Sequence, residues 1–410
     1  MGIGRHISTL KYQAYQHYLN HGTWSLIVSF AGFLIDKSFN LRGKLELNYN
    51  ELRDRANNTV IVQNSESFTI SYTGQFEDEL PVRFSEVEGT IETPDWTVLE
   101  LEDARVIGPT SIVGLPNLAS NTKKTYNYFS PSSVGNSKRN LIVPSRFFIR
   151  EVVLNNRNPE REIDSAFLFS SWRRTHFWHW FYEQLPKLRW YEQYCKLSGE
   201  TPQLIIRSDL NPWQRTSLTL MGYGPEQCIS LDEETLNVER LLVSFHPIGD
   251  GVYNTPPSNL QWVRDRIVSN VPKSERKFSE RVYISRRDAT NRHVRNEDEM
   301  TTMLETYGFE SYELSKLSFE DQVRLFAGAE IIVGPHGAGL TNILYSENAN
   351  VIELVTDATK ATFFALANVL GHRYEFLKCD PIKDSGRIPN EDDIFVDVDE
   401  LEDLLGDMLN

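Results

Sequence analysis

The stretch AEIIVGPHGAGLTN, residues 329–342, decides the fold of the second half of the chain. Its β-branched run Ile331–Val333 is typical of a buried strand in a parallel sheet. The run ends in Gly334, Gly337 and Gly339, after which apolar residues recur at helical spacing. Such a turn leaves backbone N–H groups free at the positive end of a helix dipole, where phosphate binds, and glycine permits tight backbone angles and a close ligand. The alternative is a strand-to-helix turn that binds nothing.

The bulk composition indicates an ordinary soluble protein of two or three domains. The chain has 410 residues, 40% hydrophobic and 24% charged, and its net charge of −15 argues against a general nucleic-acid binder. Cys195, Cys228 and Cys379 show no pairing pattern, which favours a reducing, cytoplasmic compartment. The most apolar run, residues 24–35, is shorter than the roughly 20 residues of a membrane span. It predicts a core helix, with a peripheral anchor at the inner face of the membrane as the alternative.

The sequence pattern divides the chain into five segments. We predict a helical or irregular N-terminal segment (1–58), a β-rich extension (59–160), two strand-and-helix domains (161–272 and 273–390) and an acidic C-terminal helix (391–410). Strands that alternate with helices favour a parallel sheet covered by helices. Ligands of such sheets bind at the carboxyl ends of the strands, so we expect a cleft between the two domains.

Two local expectations concern the β-rich extension and the domain after it. Short runs at 59–62, 68–72, 96–101 and 104–107, separated by turn residues, predict the strands of an antiparallel meander. Residues His179–Tyr194 predict one continuous helix.

Arginines follow a predicted strand in the second domain. The segment 285–292 carries Arg286, Arg287 and Arg292 and begins at the same sheet edge as the glycine turn. Arginine binds phosphate oxygens in a bidentate manner, and arginines together with free amides could hold a diphosphate. The alternative is a solvated basic loop that pairs with the acidic residues at 297–299.

Glu353 stands alone in the apolar strand Val351–Val355. A carboxylate there is unfavourable unless it has a partner or faces a site. Ribose hydroxyl groups are natural partners, and a buried structural pair is the alternative.

A third cluster lies near the start of the first strand-and-helix domain. His179 and Glu183 are four residues apart, so they share one face of a helix and could form an acid–base pair. Their aromatic neighbours could stack on a sugar, although packing in the core is the favoured interpretation. These neighbours are Trp178, Trp180, Phe181 and Tyr182.

Taken in order, these motifs resemble glycosyltransferase family 61 over roughly residues 95–380. The set comprises His179-Trp180, Glu183, Leu185-Pro186, Ile284-Ser-Arg286, Arg292, Asn296-Glu297, Gly334–Asn342 and Val351-Ile-Glu353-Leu. The resemblance implies an α/β fold of the GT-B-like kind, with two Rossmann-like domains that face each other across a cleft. It also implies inverting sugar transfer without an essential metal or cofactor, from a nucleotide sugar bound mainly by the C-terminal domain. Microbial relatives are often described as capsular polysaccharide biosynthesis proteins.

The resemblance also implies roles for individual residues. Glu183 would be the catalytic base, with His179 as its orienting partner or its rival. The donor-binding set would be Arg286, Arg292, Gly334, His336, Gly337, Ala338, Gly339, Asn342 and Glu353. His176 and Trp180 would lie on the acceptor side. The sequence departs from the family at Thr175-His176, where relatives tend to have Asn-Tyr, and at Lys187, where Arg is usual.

The leading prediction is therefore an inverting glycosyltransferase that uses a nucleotide-diphosphate sugar and a glycan, glycolipid or glycoprotein acceptor in surface polysaccharide biosynthesis. A non-catalytic nucleotide-sugar-binding scaffold is one alternative. A dinucleotide-dependent oxidoreductase is less favoured, because the glycines run G-x-x-G-x-G and not G-x-G-x-x-G. The triplet Asp397-Val-Asp399 is predicted to cap the last helix and not to hold a metal.

Overall fold

The computed structural model describes residues 47, 49–108, 111–116, 126–129, 159–170, 176–232, 234–244, 255–383 and 388–409. The apolar run 24–35 and Thr175 lie outside these residues. Within the described ranges, no helix combines the length and the apolar character that crossing a membrane requires.

The strands are β1 Asn58–Gln63, β2 Ser67–Ile70, β3 Gly89–Glu92, β4 Trp96–Ile107, β5 Ile112–Pro116, β6 Tyr126–Phe129, β7 Arg161–Leu168, β8 Gln203–Arg207, β9 Cys228–Leu231, β10 Thr235–Ser244, β11 Arg281–Ile284, β12 Glu310–Tyr312, β13 Ile331–Pro335, β14 Asn350–Val355, β15 Arg373–Lys378, β16 Asp380–Ile382 and β17 Asp393–Phe395. The α-helices are α1 Tyr49–Arg55, α2 Val82–Ser85, α3 Phe177–His179, α4 Lys187–Ser198, α5 Pro212–Leu220, α6 Pro257–Asn270, α7 Glu297–Thr306, α8 Phe319–Ala327, α9 Thr362–Leu370 and α10 Val398–Leu409.

The first sheet combines a parallel and an antiparallel part. Its order is β6-β5-β4-β10-β7-β8-β9, and β1 pairs with β4. The strands β10, β7, β8 and β9 are parallel, whereas β4 runs antiparallel to β10. The predicted meander is therefore wrong in its connectivity, because β1 and β4–β6 extend this sheet while β2 pairs only with β3.

The predicted break between residues 101 and 104 is also wrong. Residues Trp96–Ile107 form the single strand β4. Glu102 and Asp103 are exposed, but β10 pairs with β4 on both sides of them. This pairing keeps the backbone of β4 extended across the two polar residues.

The second sheet is parallel throughout. Its order is β12-β11-β13-β14-β15, and helices connect its strands. Numbered along the chain, this is the doubly wound order 2-1-3-4-5, whose direction switches between β11 and β13. Side chains that follow these two strands meet at the switch point, which is the usual ligand crevice of such a sheet. The predicted mixed α/β class, with parallel strands and covering helices, is confirmed.

The two faces of the second sheet pack against different apolar clusters, because successive side chains of a strand point to opposite faces. Val282 and Ile332 of the second sheet belong to the same continuous apolar cluster as Val98 and Phe167 of the first sheet. On its other face, the second sheet packs through Tyr283, Val333 and Leu354 against the helices α7 and α10. One apolar layer thus joins the two sheets.

Residues 67–92, the bridging segment, leave the first sheet and pack on the second half of the chain. The ring of Phe84 stacks on Phe364 with centroids 5.2 Å apart. The hydroxyl of Tyr72 donates to Oε2 of Glu375 over 2.6 Å. The segment therefore ties β1 and β4 to β15 and α9.

Candidate functional site

Arg286 lies directly against the glycine turn. Its Nε and Nη2 donate to the carbonyl oxygen of Asn291 over 3.3 and 3.0 Å. A Cβ added at Gly337 would overlap Nη1 of Arg286 and lie 3.0 Å from its Cζ. The backbone of Gly337 is extended, with φ 179°, and neither Gly334 nor Gly339 has a positive φ. The expectation of tight backbone angles is thus wrong, and Gly337 leaves room for the guanidinium group of Arg286.

Arg292 completes a cationic pair at this edge of the sheet. Its Nη1 donates to the carbonyl oxygen of His336 over 2.8 Å, and its buried Nε–H has no acceptor among the described residues. Burial, with a smaller contribution from the charge of Arg292, lowers the pKa of Arg286 to about 10. Burial also lowers the pKa of Arg292. Both groups remain charged at neutral pH, and within the described ranges neither forms an ion pair.

Arg287 behaves as the alternative interpretation expected. It is exposed and pairs with Glu297 over 2.7 Å and with Asp298. The solvated-loop interpretation therefore holds for Arg287 but does not describe Arg286 or Arg292.

The residues after Gly337 supply free amides. The helical segment predicted after the glycines is a 3₁₀ helix, Ala338–Tyr345. Among the described residues, the N–H groups of Ala338 and Gly339 have no acceptor. The Asn342 amide donates to the carbonyl oxygen of Gly339 over 3.0 Å, which competes with the backbone bond of an α-helix. Asn342 is fully buried, so its predicted contact with the donor is not supported by its position.

His336 and Glu353 form a buried pair beneath the turn. The Nδ1–H of His336 donates to Oε1 of Glu353 over 2.5 Å, and the hydroxyl of Tyr374 donates to Oε2 of Glu353 over 2.6 Å. Glu353 has no exposed surface and His336 is 7% exposed. The geometry thus favours the buried-pair interpretation of Glu353 over direct contact with a ribose. Gly334 is also buried, within β13.

The second candidate pair lies on an irregular helical segment. Nδ1 of His179 lies 2.7 Å from Oε1 of Glu183, and both side chains are partly exposed. Trp180–Gln184 form a π-helical turn, and Pro186 precedes the first residue of α4. The predicted continuous helix is wrong here, because proline lacks an N–H group and its ring clashes with the carbonyl group four residues earlier. That carbonyl group, of Tyr182, accepts a bond from the hydroxyl of Thr255 instead, over 2.9 Å.

The aromatic neighbours of this pair are core residues. Trp180 is 2% exposed, and its indole N–H donates to Oγ of Ser217 over 2.9 Å. A sugar could not stack on it, so its predicted acceptor-side role is not supported by its position. His176 is exposed, and its ring centroid lies 4.9 Å from that of His179.

Lys187 is a buried cation close to the same pair. It is the first residue of α4 and is 3% exposed. Burial lowers its pKa to about 8, and the negative charge of Glu183 opposes this change. The sequence singled out Lys187 only as a departure from the family pattern.

The two clusters face each other through one aromatic ring. Phe363 lies 5.1 Å from the ring of His336 and 5.7 Å from that of Trp178, the neighbour of His179. The turn α3 also contacts the 3₁₀ helix that follows Gly337. His176, His179 and Glu183 thus lie together in one half. In the other half, Arg286 lies against Gly337 and Arg292 contacts His336, and the two clusters are on neighbouring elements.

Open space adjoins His336 at the carboxyl ends of the second sheet. A small pocket of about 10 Å³ is lined by Arg292, His336 and Thr356. Beyond Thr356, a groove of about 600 Å³ lies beside Lys378. This space lies at the carboxyl ends of β13, β14 and β15, the edge at which parallel α/β sheets bind ligands.

Comparison with known proteins finds one family. The family described as Glycosyltransferase 61 matches residues 177–352, which include both clusters. This part of the chain is similar to glycosyltransferase family 61.

Curated relatives share a shorter region. This chain is 35% identical to the EGF domain-specific O-linked N-acetylglucosamine transferase of Mus musculus over 100 residues. The matched region is 23% of this chain and 19% of the relative. The Drosophila melanogaster protein of the same name is 35% identical over 96 residues, 22% of this chain and 18% of the relative. The Bos taurus protein is 34% identical over 100 residues, 23% of this chain and 19% of the relative. The chain thus spans about a fifth of the length of these relatives.

Two residues of the candidate site carry no motif and escaped prediction. Asn291 positions Arg286 through its carbonyl oxygen and through its side-chain Oδ1, which accepts from Nη2 of Arg286 over 3.1 Å. Tyr374 reaches Glu353 from the neighbouring strand β15. A search for a polar partner on the strand beside the lone carboxylate could have found Tyr374.

Proposed function

We propose that the chain is an inverting glycosyltransferase that uses a nucleotide-diphosphate sugar as its donor. The observation that carries this proposal is the cationic pair Arg286 and Arg292 beside the free amides of Ala338 and Gly339. Two partly buried guanidinium groups with no anion of their own attract the charge of a diphosphate. The same groups would stabilise the negative charge that develops on the leaving diphosphate.

The proposed transfer is a single displacement. The acceptor hydroxyl oxygen attacks the anomeric carbon from the face opposite the diphosphate, and the new C–O bond forms as the bond to the diphosphate breaks. This sequence inverts the anomeric configuration. Glu183 takes the hydroxyl proton, and the bonding electrons leave with the diphosphate oxygen. His179 orients Glu183 through their 2.7 Å contact.

The wider parts of the proposal concern arrangement and substrates. The two sheets would act as GT-B-like domains, with the acceptor on the side of His176 and the donor on the side of the second sheet. No step requires a metal, and Asp397 supports this view, because its carboxylate caps α10 by accepting from the N–H of Glu400 over 3.1 Å. A glycan or lipid-linked acceptor would be used in surface polysaccharide assembly in the cytoplasm, at the inner face of the membrane.

A turnover assay with a matched variant tests the proposal. The full chain is incubated with UDP-, GDP- and CMP-sugars, and hydrolysis or transfer is followed together with thermal stabilisation. Glu183→Gln should lower turnover about 10²- to 10⁴-fold while donor binding persists. Glu192→Gln changes a carboxylate that bonds Tyr223 and Arg266 instead, and should leave turnover unchanged.

The outcomes separate the candidate functions. Binding of a sugar nucleotide without any turnover would indicate a scaffold. Stabilisation by NADH and by no sugar nucleotide would indicate an oxidoreductase. Full turnover by Glu183→Gln would remove Glu183 as the base.

A further inference from the structure

The His336 ring is held from several sides. Its Nδ1–H meets Glu353, its face lies against Phe363, and its backbone N–H donates to the carbonyl oxygen of Leu354 over 3.2 Å. The remaining nitrogen, Nε2, forms no bond within the described part of the chain. His336 lines the same pocket as Arg292, whose Nη1 holds the His336 carbonyl oxygen.

Glu353 cannot reach a ligand in this arrangement. One of its oxygens is taken by His336 and the other by Tyr374, and its side chain has no exposed surface. A fully buried carboxylate that is bonded at both oxygens influences a ligand only through its partners.

We propose that Glu353 is a positioning residue that acts through His336, and that Tyr374 fixes Glu353 in turn. A carboxylate oxygen accepts, so Nδ1–H of His336 faces Glu353 and Nε2 turns away from it, toward the pocket. When Nε2 also carries a proton, its N–H donates to a diphosphate oxygen beside Arg292, and the carboxylate of Glu353 stabilises the positive ring. This inference rests on the proposed function, and it replaces the ribose contact expected for Glu353 with a diphosphate contact made by its partner.

A double-mutant cycle tests whether Glu353 acts through His336. Affinities for a nucleoside diphosphate and for the matching nucleoside are measured by calorimetry. Glu353→Gln should weaken the diphosphate at least 10-fold and leave the nucleoside unchanged. In the His336→Ala background, Glu353→Gln should have no further effect, because the group through which it acts is gone.

Two further variants keep the test independent of folding. Tyr374→Phe removes only the 2.6 Å bond to Glu353 and should weaken the diphosphate in the same direction. Tyr72→Phe is the matched control, because it removes a 2.6 Å bond from a tyrosine to the buried Glu375, and it should not change the affinity.

The results distinguish this inference from the proposed function. Equal weakening of nucleoside and diphosphate by Glu353→Gln would indicate a ribose contact and overturn the inference. Additive effects of Glu353→Gln and His336→Ala would also overturn it. If the unmodified chain binds no nucleoside diphosphate, the proposed function itself fails.

Discussion

Arg286, Arg287 and Arg292 show how the role of an arginine depends on its surroundings. Arg287 is 51% exposed and pairs with carboxylates, whereas Arg286 and Arg292 are partly buried and bond only to carbonyl and amide oxygens. Arg292 also has a left-handed backbone, with φ 58°. For a residue other than glycine this conformation costs about 1–2 kcal/mol, and such strain is often found at functional sites. Neighbouring oxygen atoms thus hold the two partly buried guanidinium groups in place.

Gly337→Ala tests the contact between the turn and Arg286. The new Cβ would overlap the guanidinium group, so Arg286 must move away from the site. We expect at least a ~10-fold loss of affinity for nucleoside diphosphates, since a charge-assisted bond contributes about 1.5–3 kcal/mol. Gly406→Ala is the control, because its Cβ would meet nothing within 4 Å, and it should stabilise α10 slightly. Unchanged affinity in Gly337→Ala would contradict the contact.

The buried Lys187 predicts a dependence of stability on pH. Its pKa falls from 10.5 to about 8 on folding, so the unfolded chain binds this proton more tightly. The ammonium group therefore opposes folding below pH 8, by up to roughly 3 kcal/mol, and this effect fades as the pH rises toward 10.5.

Lys187→Met should therefore raise the free energy of unfolding at pH 7, and the gain should shrink between pH 8 and pH 10.5. Denaturant unfolding at a series of pH values measures it. The exposed Lys196, on the same helix, provides the control Lys196→Met, which should change little. A gain that does not vary with pH would point to packing and not to charge.

At the scale of elements, the bridging segment is one link between the two halves of the chain. Residues 67–92 start and end beside strands of the first sheet, yet Tyr72 and Phe84 pack on β15 and α9. The segment therefore couples the stability of the second half to that of the first.

Phe84→Ala should remove much of this coupling. Phe84 is fully buried, and a buried Phe→Ala change typically costs about 3–5 kcal/mol. Val82→Ala alters an apolar side chain of the same turn that is 72% exposed, and it should stay within about 0.5 kcal/mol. Thermal unfolding and limited proteolysis measure both variants. Equal effects of the two would contradict the assigned packing.

Local patterns predicted the second sheet well and the first sheet poorly. The β-branched runs at Ile331–Val333 and Val351–Val355 are buried on both faces, so their composition alone marks the strands. The link between β4 and β10 depends on pairing between distant parts of the chain, which local periodicity does not contain. The motifs predicted Arg286 beside Gly337, but they could not show that Trp180 and Asn342 turn inward, because that depends on packing between elements.

At the scale of the whole molecule, the site lies where the two halves meet. The switch point of the second sheet supplies the cationic pair and the free amides. In the first half, α3 supplies His179 and the π-helical turn supplies Glu183. Phe363 belongs to the apolar layer between the sheets and contacts both Trp178, beside the first cluster, and His336 of the second. The relative positions of the two clusters thus depend on the fold of the entire chain.

Calorimetric titration of Arg286→Ala and Arg287→Ala with a nucleoside diphosphate tests the central claim most directly. The two residues are neighbours of equal charge, but only Arg286 lies against Gly337, while Arg287 pairs with Glu297 and Asp298. We predict that Arg286→Ala weakens binding about 10- to 150-fold and that Arg287→Ala binds as the unmodified chain does. Equal affinities of both variants and the unmodified chain would contradict a diphosphate site at the switch point.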